Sequence, residues 1–227
     1  MNSGNSAAGP TFNAIATALG QNAPQIEFIR VHHQPDYTFP NGISKPLFPE
    51  NHSATADVVM ENDANLGVAF DGDFDRCFFL DEKGQFIDGE YIVGVLADVF
   101  LDKVPEASIV HDPCIIWNTQ SVVAAKGGNA VQSKMGHAFI KQFMREVDAV
   151  YGGEMSAHHY FRDFAYCDSG MIPLLLMIEL RSRTGKLLSE LVAERIAAYP
   201  SSGKVNFRLE APKASIAKVI AAFERTA

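Results

Sequence analysis

Short apolar runs alternate with amphipathic helical patterns along most of this chain, and this alternation limits the folds open to it. Apolar runs bounded by turn residues, each typical of a buried strand, occur at residues 26–31, 66–70, 108–111, 130–132 and 149–151. Helical patterns lie between and after them at about 9–19, 54–61, 91–101, 119–125, 138–147 and 170–181. The alternation predicts an α/β fold with mixed, mainly parallel sheets sandwiched by helices.

A predicted hairpin interrupts the alternation. Residues 77–80 and 85–87 are expected to pair around a turn that ends at Gly84, where glycine accepts the left-handed conformation. We place a domain boundary there, which gives one unit at 1–86 and a second at 87–199. Residues 200–227 are predicted to hold a linker, a strand at 205–209 and a helix from about residue 214, as the start of a further, incomplete unit.

Charge and composition argue against several classes of function. A formal charge of −8 disfavours nucleic-acid binding, which relies on clustered Lys and Arg. The longest apolar run, residues 171–178, is far shorter than the roughly 20 residues of a membrane helix, so no membrane association is expected. The opening residues lack the features of a secretory signal, and we expect a cytoplasmic protein. The three cysteines lack CxxC spacing, which argues against a zinc site.

The strongest chemical signal is the segment D-G-D-F-D-R at residues 71–76, directly after the apolar run 66–70. Carboxylates at alternate positions of a tight loop can converge on one hard cation, for which oxygen ligands are preferred. Open α/β sheets bind ligands at the carboxyl ends of their strands. The segment therefore predicts a divalent-metal site formed by Asp71, Asp73 and Asp75, with a solvated acidic turn as the alternative.

A second polar loop, G-E-M-S-A-H at residues 153–158, follows the apolar run 149–151. Glu154 offers an ionised acceptor and Ser156 a hydroxyl, both suited to sugar hydroxyls, and His158 can add a hydrogen bond or a positive charge. A polar turn with no ligand is the alternative. A hydrolase role for Ser156 would need the spacing G-x-S-x-G, which this loop does not match.

Both loops resemble those of the α-D-phosphohexomutase superfamily, which includes phosphomannomutase and phosphoglucomutase. Residues 67–76 are similar to the family's metal-binding loop, with Phe74 in place of its usual second glycine. Residues 153–158 are similar to its sugar-recognition loop G-E-M-S-G-H, with Ala157 in place of glycine. Further matches are N-S-G-N at 2–5, F-P-N-G at 39–42 and K-M-G-H at 134–137, which resembles K-T-G-H.

The resemblance implies a parent enzyme that interconverts mannose 6-phosphate and mannose 1-phosphate, and glucose phosphates as a further substrate pair. The implied route runs through a phosphoserine and a hexose 1,6-bisphosphate, and the product would supply GDP-mannose synthesis. The implied cofactor is Mg²⁺, held by Asp71, Asp73 and Asp75. The implied site residues are Arg76, Lys134 and His137 for catalysis, and Glu154, Ser156, His158 and Arg162 for substrate binding.

Members of the family have four domains, with the serine in T-A-S-H-N-P on the first and a phosphate clamp, R-x-S-x-T-E-P, on the last. Neither motif occurs in residues 1–227. We therefore expect the chain to correspond to the second and third domains, to have the remaining domains of the same protein as partners, and to be inactive alone. A non-catalytic module that binds metal and sugar phosphate is the alternative hypothesis.

Three further expectations follow from the resemblance. Cys114 stands where the family generally has Lys or Arg, which removes a cation from the cleft. Arg162 stands where the family usually has lysine and could bind a phosphate bidentately; an exposed solubilising charge is the alternative, which Arg162 taken alone favours. The metal loop and the sugar loop are expected to be separate, so that Glu154→Gln would leave metal binding untouched.

Overall fold

The computed structural model describes residues 1–20, 26–201 and 207–224, and in these ranges it has the predicted α/β architecture. Its helices are α1 (Ala8–Gly20), α2 (Ser53–Glu61), α3 (Gly89–Lys103), α4 (Ile116–Ala125), α5 (His137–Glu146), α6 (Met171–Thr184), α7 (Leu188–Ala198) and α8 (Pro212–Phe223). Its strands are β1 (Gly67–Phe70), β2 (Cys77–Leu80), β3 (Phe86–Ile87), β4 (Ser108–His111), β5 (Asn129–Gln132), β6 (Tyr151–Gly153), β7 (His159–Phe161) and β8 (Cys167–Asp168).

The strands form two sheets. The first has the order β1-β2-β3 and is antiparallel, which confirms the predicted hairpin. The second has the order β5-β4-β6-β7-β8, in which β4 pairs parallel to β5 and β6 while the remaining pairs are antiparallel. The mixed α/β class is confirmed, but antiparallel ladders outnumber parallel ones in the part described. Short loops after β1, β2, β6 and β7 cause this, because only antiparallel strands can be joined by so few residues.

The first residues of the chain pack beside β1. Asn2 forms isolated parallel bridges with Val31 on one side and Ala69 of β1 on the other. Within the predicted strand 26–31, only Val31 forms such a bridge, and no ladder is present there. Residues 26–31 are partly buried or exposed, and a strand needs continuous pairing that this segment does not make.

Helices cover both faces of the second sheet, as the sequence predicted. Successive side chains of a strand point to opposite faces, and Ile109 and Val110 of β4 accordingly enter different clusters. Ile109 packs in the larger cluster, which includes Tyr151 and much of α3. Val110 packs in a smaller one with Ile140 and Met144 of α5. The larger cluster also contains residues of β1 and β2, so both sheets share one continuous core.

Some elements differ from the sequence prediction. The strand predicted at 149–151 lies at Tyr151–Gly153, and α7, β7 and β8 were not predicted. The strand predicted at 205–209 falls partly outside the described residues, and residues 207–209 form none. The helix predicted from about residue 214 is confirmed as α8, whose residues are largely exposed. In the described ranges, no helix combines the length and apolarity needed to cross a bilayer.

Gly170 precedes α6 and packs tightly against the loop after β1. A Cβ atom on Gly170 would lie 2.5 Å from the carbonyl oxygen of Phe74 and 3.1 Å from that of Arg76. We expect Gly170→Ala to lower the free energy of unfolding by about 1–3 kcal/mol, the usual cost of overpacking. Urea denaturation measures this, with Gly20→Ala as the control, because no described residue lies within 4 Å of a Cβ there. Equal stability losses in the two variants would contradict the close approach.

Candidate functional site

The loop of residues 71–76 gathers three carboxylates at the carboxyl end of β1. One oxygen from each of Asp71, Asp73 and Asp75 lies within 4.8 Å of the others. Asp71 is buried, Asp75 is partly buried and Asp73 is exposed. The loop turns at Phe74, whose φ of 53° lies in the left-handed region that favours glycine. The sequence therefore forms the predicted acidic cluster even though Phe74 stands at the glycine position of the resembled motif.

Arg76 belongs to the same cluster. Its guanidinium forms an ion pair with the carboxylate of Asp71, and its backbone N–H donates to Asp71 Oδ1 at 3.3 Å. Its Nε lies 3.7 Å from Asp75 Oδ1. The guanidinium offsets part of the repulsion among the clustered carboxylates, so Arg76 acts here on the acidic loop itself.

The cluster suits a divalent cation. Burial raises the pKa of Asp71 to about 6; the charge of Arg76 opposes this shift, while the charges of Asp75 and Asp73 add to it. Oδ1 of Asp75 is a buried acceptor that forms no hydrogen bond with any described residue. A bound cation would satisfy that lone pair and favour ionised Asp71, since an adjacent positive charge stabilises a carboxylate. The donor set consists of oxygen atoms, which hard cations such as Mg²⁺ prefer.

The sugar loop, residues 153–158, is organised around the carboxylate of Glu154, a buried residue that is 4% exposed. Its Oε1 accepts the backbone N–H of Gly136 at 2.9 Å, and its Oε2 accepts the hydroxyl of Tyr160 at 3.0 Å. Nδ1 of His158 also lies 3.0 Å from Oε2. Glu154 therefore holds three parts of the site together, and most of its hydrogen-bonding capacity is used inside the protein.

The metal loop and the sugar loop are in direct contact. Nε2 of His158 lies 3.4 Å from Oδ2 of Asp75, and Arg76 and His158 form an isolated antiparallel bridge. The backbone N–H of Cys77 donates to the carbonyl of Ala157 at 3.3 Å. The two loops are separate segments of the chain, but nothing in the sequence indicates that they touch, because β1 and β6 belong to different sheets whose ends meet only in the tertiary structure.

His158 is a charged link between the loops. Burial lowers the pKa of His158, but hydrogen bonds to Asp75 and Glu154 outweigh burial and raise the pKa from an ordinary value of 6.5 to about 9. Hydrogen bonds from His158, Gly136 and Tyr160 in turn hold the pKa of Glu154 below its ordinary value against the effect of burial. At neutral pH the imidazolium therefore lies between two carboxylates.

Loops at the ends of the parallel strands complete the site. Asp112, which follows β4, is buried and accepts the backbone N–H of Cys114 at 2.8 Å and that of Met155 at 3.0 Å. Asp112 thus attaches the sugar loop to the loop after β4, as Gly136 attaches it to the loop after β5. Sequence reasoning considered Cys114 but missed Asp112, although an acidic residue directly after a buried run was a usable signal.

The remaining predicted residues lie at different distances from this centre. Lys134 and His137 flank Gly136 and are exposed, with Lys134 Nζ 5.6 Å from the ring centroid of Phe139. Arg162 is not brought to the two loops. Arg162 directly follows Phe161, which pairs with Tyr151 at one end of the β6–β7 hairpin, whereas the sugar loop joins the two strands at the other end. Arg162 forms ion pairs with Asp148 and Asp163.

Comparison with known proteins places the chain in a family. Residues 1–84 match the family model for α/β/α domain II of phosphoglucomutase/phosphomannomutase, and residues 88–199 match the model for α/β/α domain III. The chain belongs to the phosphoglucomutase/phosphomannomutase family. The resemblance of the two loops is thereby confirmed at the level of the whole chain.

Curated relatives are similar along the full chain. A phosphomannomutase from Salmonella montevideo is 60% identical over 227 residues, which cover 100% of this chain and 50% of the relative. A phosphomannomutase from Escherichia coli K12 is 57% identical with the same coverage. The chain thus spans about half the length of these relatives.

Solved structures of the family have the same fold. A phosphoglucomutase/phosphomannomutase family protein from Burkholderia thailandensis superposes with a TM-score of 0.76 at 30% identity, over 88% of this chain and 43% of that one. The phosphoglucomutase parafusin from Paramecium gives a TM-score of 0.61 at 15% identity, over 82% of this chain and 36% of that one, and supports the fold alone.

The acidic cluster leads to a prediction for metal binding. Asp73→Asn removes one of three clustered carboxylates, so it should abolish the heat signal of Mg²⁺ binding in calorimetry. The matched control is Asp163→Asn, whose side chain is 91% exposed and lies beside Arg162, away from the cluster. An Asp73→Asn variant that retains the full signal would place the cation elsewhere.

The environment of His158 leads to a prediction for pH dependence. In the metal-free chain, the imidazole should titrate near pH 9, measured by NMR of its ring C–H groups and assigned with His158→Gln. Because the folded pKa exceeds the unfolded one, the stability from this contact is complete below about pH 6.5 and is lost as the pH rises through about 9.

The Glu154→Gln variant should lower the titration midpoint of His158, because one of its two anionic partners becomes neutral. Glu194→Gln, a change of the same chemistry at an exposed position on α7, should leave it unchanged. A midpoint near 6.5 in the unaltered chain would show that the contacts of His158 with Asp75 and Glu154 do not form in solution.

Proposed function

We propose that the parent protein of this chain is a phosphohexomutase that interconverts mannose 6-phosphate and mannose 1-phosphate, with glucose phosphates as a further pair. The observation that carries the proposal is the contact between the acidic loop and the sugar loop through His158 and Asp75. This contact brings the three clustered carboxylates and the polar loop 153–158 side by side, which supports the proposal because phosphoryl transfer on a sugar needs a cation and hydroxyl-binding groups close together. The relatives named phosphomannomutase support the choice of hexose.

The proposed cofactor is Mg²⁺, which Asp71, Asp73 and Asp75 would hold. When bound, it would withdraw negative charge from the phosphoryl oxygens. Arg76 would keep Asp71 ionised and so keep the donor set complete. The buried acceptor Oδ1 of Asp75 supports this assignment, since it forms no hydrogen bond with a described residue and Arg76 Nε approaches it only to 3.7 Å.

His158 and Glu154 would act on the sugar side of the site. Protonated His158 lies between Asp75 and Glu154, and its contacts with these two carboxylates hold the sugar loop against the acidic loop. Ser156 Oγ lies 2.9 Å from Nδ1 of His158, and its partly buried hydroxyl can also bond to the substrate. Lys134 would add positive charge and His137 an imidazole that can hydrogen-bond near the substrate, because Gly136 between them bonds to Glu154.

The bisphosphate intermediate must reverse its orientation so that either end can face the proposed phosphoserine. Ser156 and the rest of the loop that Glu154 positions would contact hydroxyls near the middle of the hexose ring. These contacts can form in both orientations of the bisphosphate. Such contacts do not require the 2-hydroxyl, which accounts for proposing both mannose and glucose phosphates. We further propose a cytoplasmic location and a role in supplying GDP-mannose synthesis.

The isolated 227-residue chain should not interconvert mannose 6-phosphate and mannose 1-phosphate, even with Mg²⁺ and hexose bisphosphate. The reason is that its sequence contains no T-A-S-H-N-P segment to carry the phosphoryl group. A coupled assay of the chain and of the full-length parent tests this, and only the parent should turn over. An inactive parent would favour the non-catalytic binding module, while turnover by the isolated chain would contradict the missing nucleophile.

In the full-length parent, Glu154→Gln should reduce kcat/KM by about tenfold or more for mannose and glucose phosphates alike. The change removes charge-assisted hydrogen bonds worth roughly 1.5–3 kcal/mol, and about 1.4 kcal/mol corresponds to tenfold. Glu194→Gln serves as the matched control and should retain the parental kcat/KM. Parental turnover of both sugars by Glu154→Gln would refute the role assigned to the sugar loop.

A further inference from the structure

Trp117 is the only tryptophan in the sequence, and its side chain is 76% exposed. It lies in the first turn of α4, directly after the loop that contains Asp112. Tryptophan offers the largest apolar surface of any residue, and tryptophans are highly buried on average. Its exposure here leaves that surface available to a ligand.

The neighbours of Trp117 fix it in this outward position. Ile115, Asn118 and Thr119 are all fully buried. Asn118 Nδ2 donates to the carbonyl of Glu90 at 2.9 Å, and its Oδ1 accepts Nε of Arg195 at 2.8 Å. Turning α4 to bury Trp117 would break both bonds, so the indole is presented by a rigid helix.

Trp117 lines a cleft with a volume of about 710 Å³, a size typical of small-molecule sites. Ser156 and Met155 of the sugar loop line the same cleft, as do Asp112 and Met135. The indole therefore belongs to the cavity that the sugar loop opens into. This cavity combines apolar side chains with a few polar groups, as sites for neutral or partly apolar ligands do.

The charges around the cleft select which part of a ligand fits. Among the described residues that line it, none is Lys or Arg, while Asp88, Glu90 and Asp112 are acidic. A phosphate group would meet three carboxylates and no Lys or Arg in these walls, and the donors there are neutral hydroxyls, the indole N–H and the imidazole of His52. A neutral ring with hydroxyl donors suits them, because its hydroxyls can donate to the carboxylates and its C–H face can lie on the indole.

We propose that Trp117 is a binding residue on which the hexose ring of the substrate stacks, with the phosphates held outside this cleft. This inference rests on the proposed function, since the ligand is its sugar phosphate. It assigns Trp117 a contribution to affinity for the ring, common to mannose and glucose phosphates.

The test in the full-length parent compares Trp117→Leu with Trp117→Phe. We expect Trp117→Leu to raise KM about threefold to tenfold, the range for one aromatic contact, with kcat nearly unchanged. Trp117→Phe retains a ring and should recover most of the affinity. An unchanged KM in an active Trp117→Leu variant overturns the stacking role and leaves the proposed function standing, whereas an inactive parent overturns both.

In the isolated chain, emission of the sole tryptophan reports on the cleft directly. Mannose 6-phosphate and neutral mannose should shift or quench the emission, while inorganic phosphate should not, because the described walls hold three carboxylates and no Lys or Arg. A response to inorganic phosphate equal to that of mannose 6-phosphate overturns the assignment of the cleft to the ring. Poor acrylamide quenching before any ligand is added would also overturn it, since the indole would then be covered by protein.

Discussion

The contact of the His158 imidazole with the carboxylates of Asp75 and Glu154 joins the parts of this molecule that carry its chemistry. It connects the acidic loop after β1 with the sugar loop after β6, and the backbone bridge between Arg76 and His158 reinforces it. The imidazolium is stable there because it lies between two anions in a partly desolvated place, where charge pairs interact more strongly than in water. Without it, Asp75 and Glu154 would lose the positive charge that they share. Each would keep only its other partners, which are Arg76 for Asp75 and Gly136 and Tyr160 for Glu154.

Buried acidic side chains organise the rest of the site in a similar way. Asp112 accepts the backbone N–H of Met155 and Glu154 that of Gly136, so each carboxylate fixes the position of a loop it does not belong to. These loops follow β4, β5 and β6, whose parallel pairing brings their carboxyl ends to one edge of the sheet. The topology thus concentrates polar loops at one edge, and the carboxylates hold them in register.

Sequence reasoning found most helices and the strands that precede the two loops, because apolar periodicity reports burial directly. It missed β7 and β8, which are too short to give a pattern, and it overestimated parallel pairing. It selected Arg162 by position in a motif, but the register of β6 and β7 places that residue at the far end of the hairpin. It missed Asp112 and Tyr160, which matter because Asp112 accepts the backbone N–H of Met155 and Tyr160 donates its hydroxyl to Glu154.

The sequence by itself determined the α/β class, the acidic loop with Asp71, Asp73 and Asp75, the sugar loop and the family. Those features are local: each is an uninterrupted segment whose residue types and spacing state its chemistry. The tertiary structure decided that the two loops touch, that Glu154 is mostly engaged inside the protein, and that Trp117 faces the cleft. These facts depend on how distant strands end beside one another, and pairing over such separations is set by packing of the shared core, which local sequence does not encode.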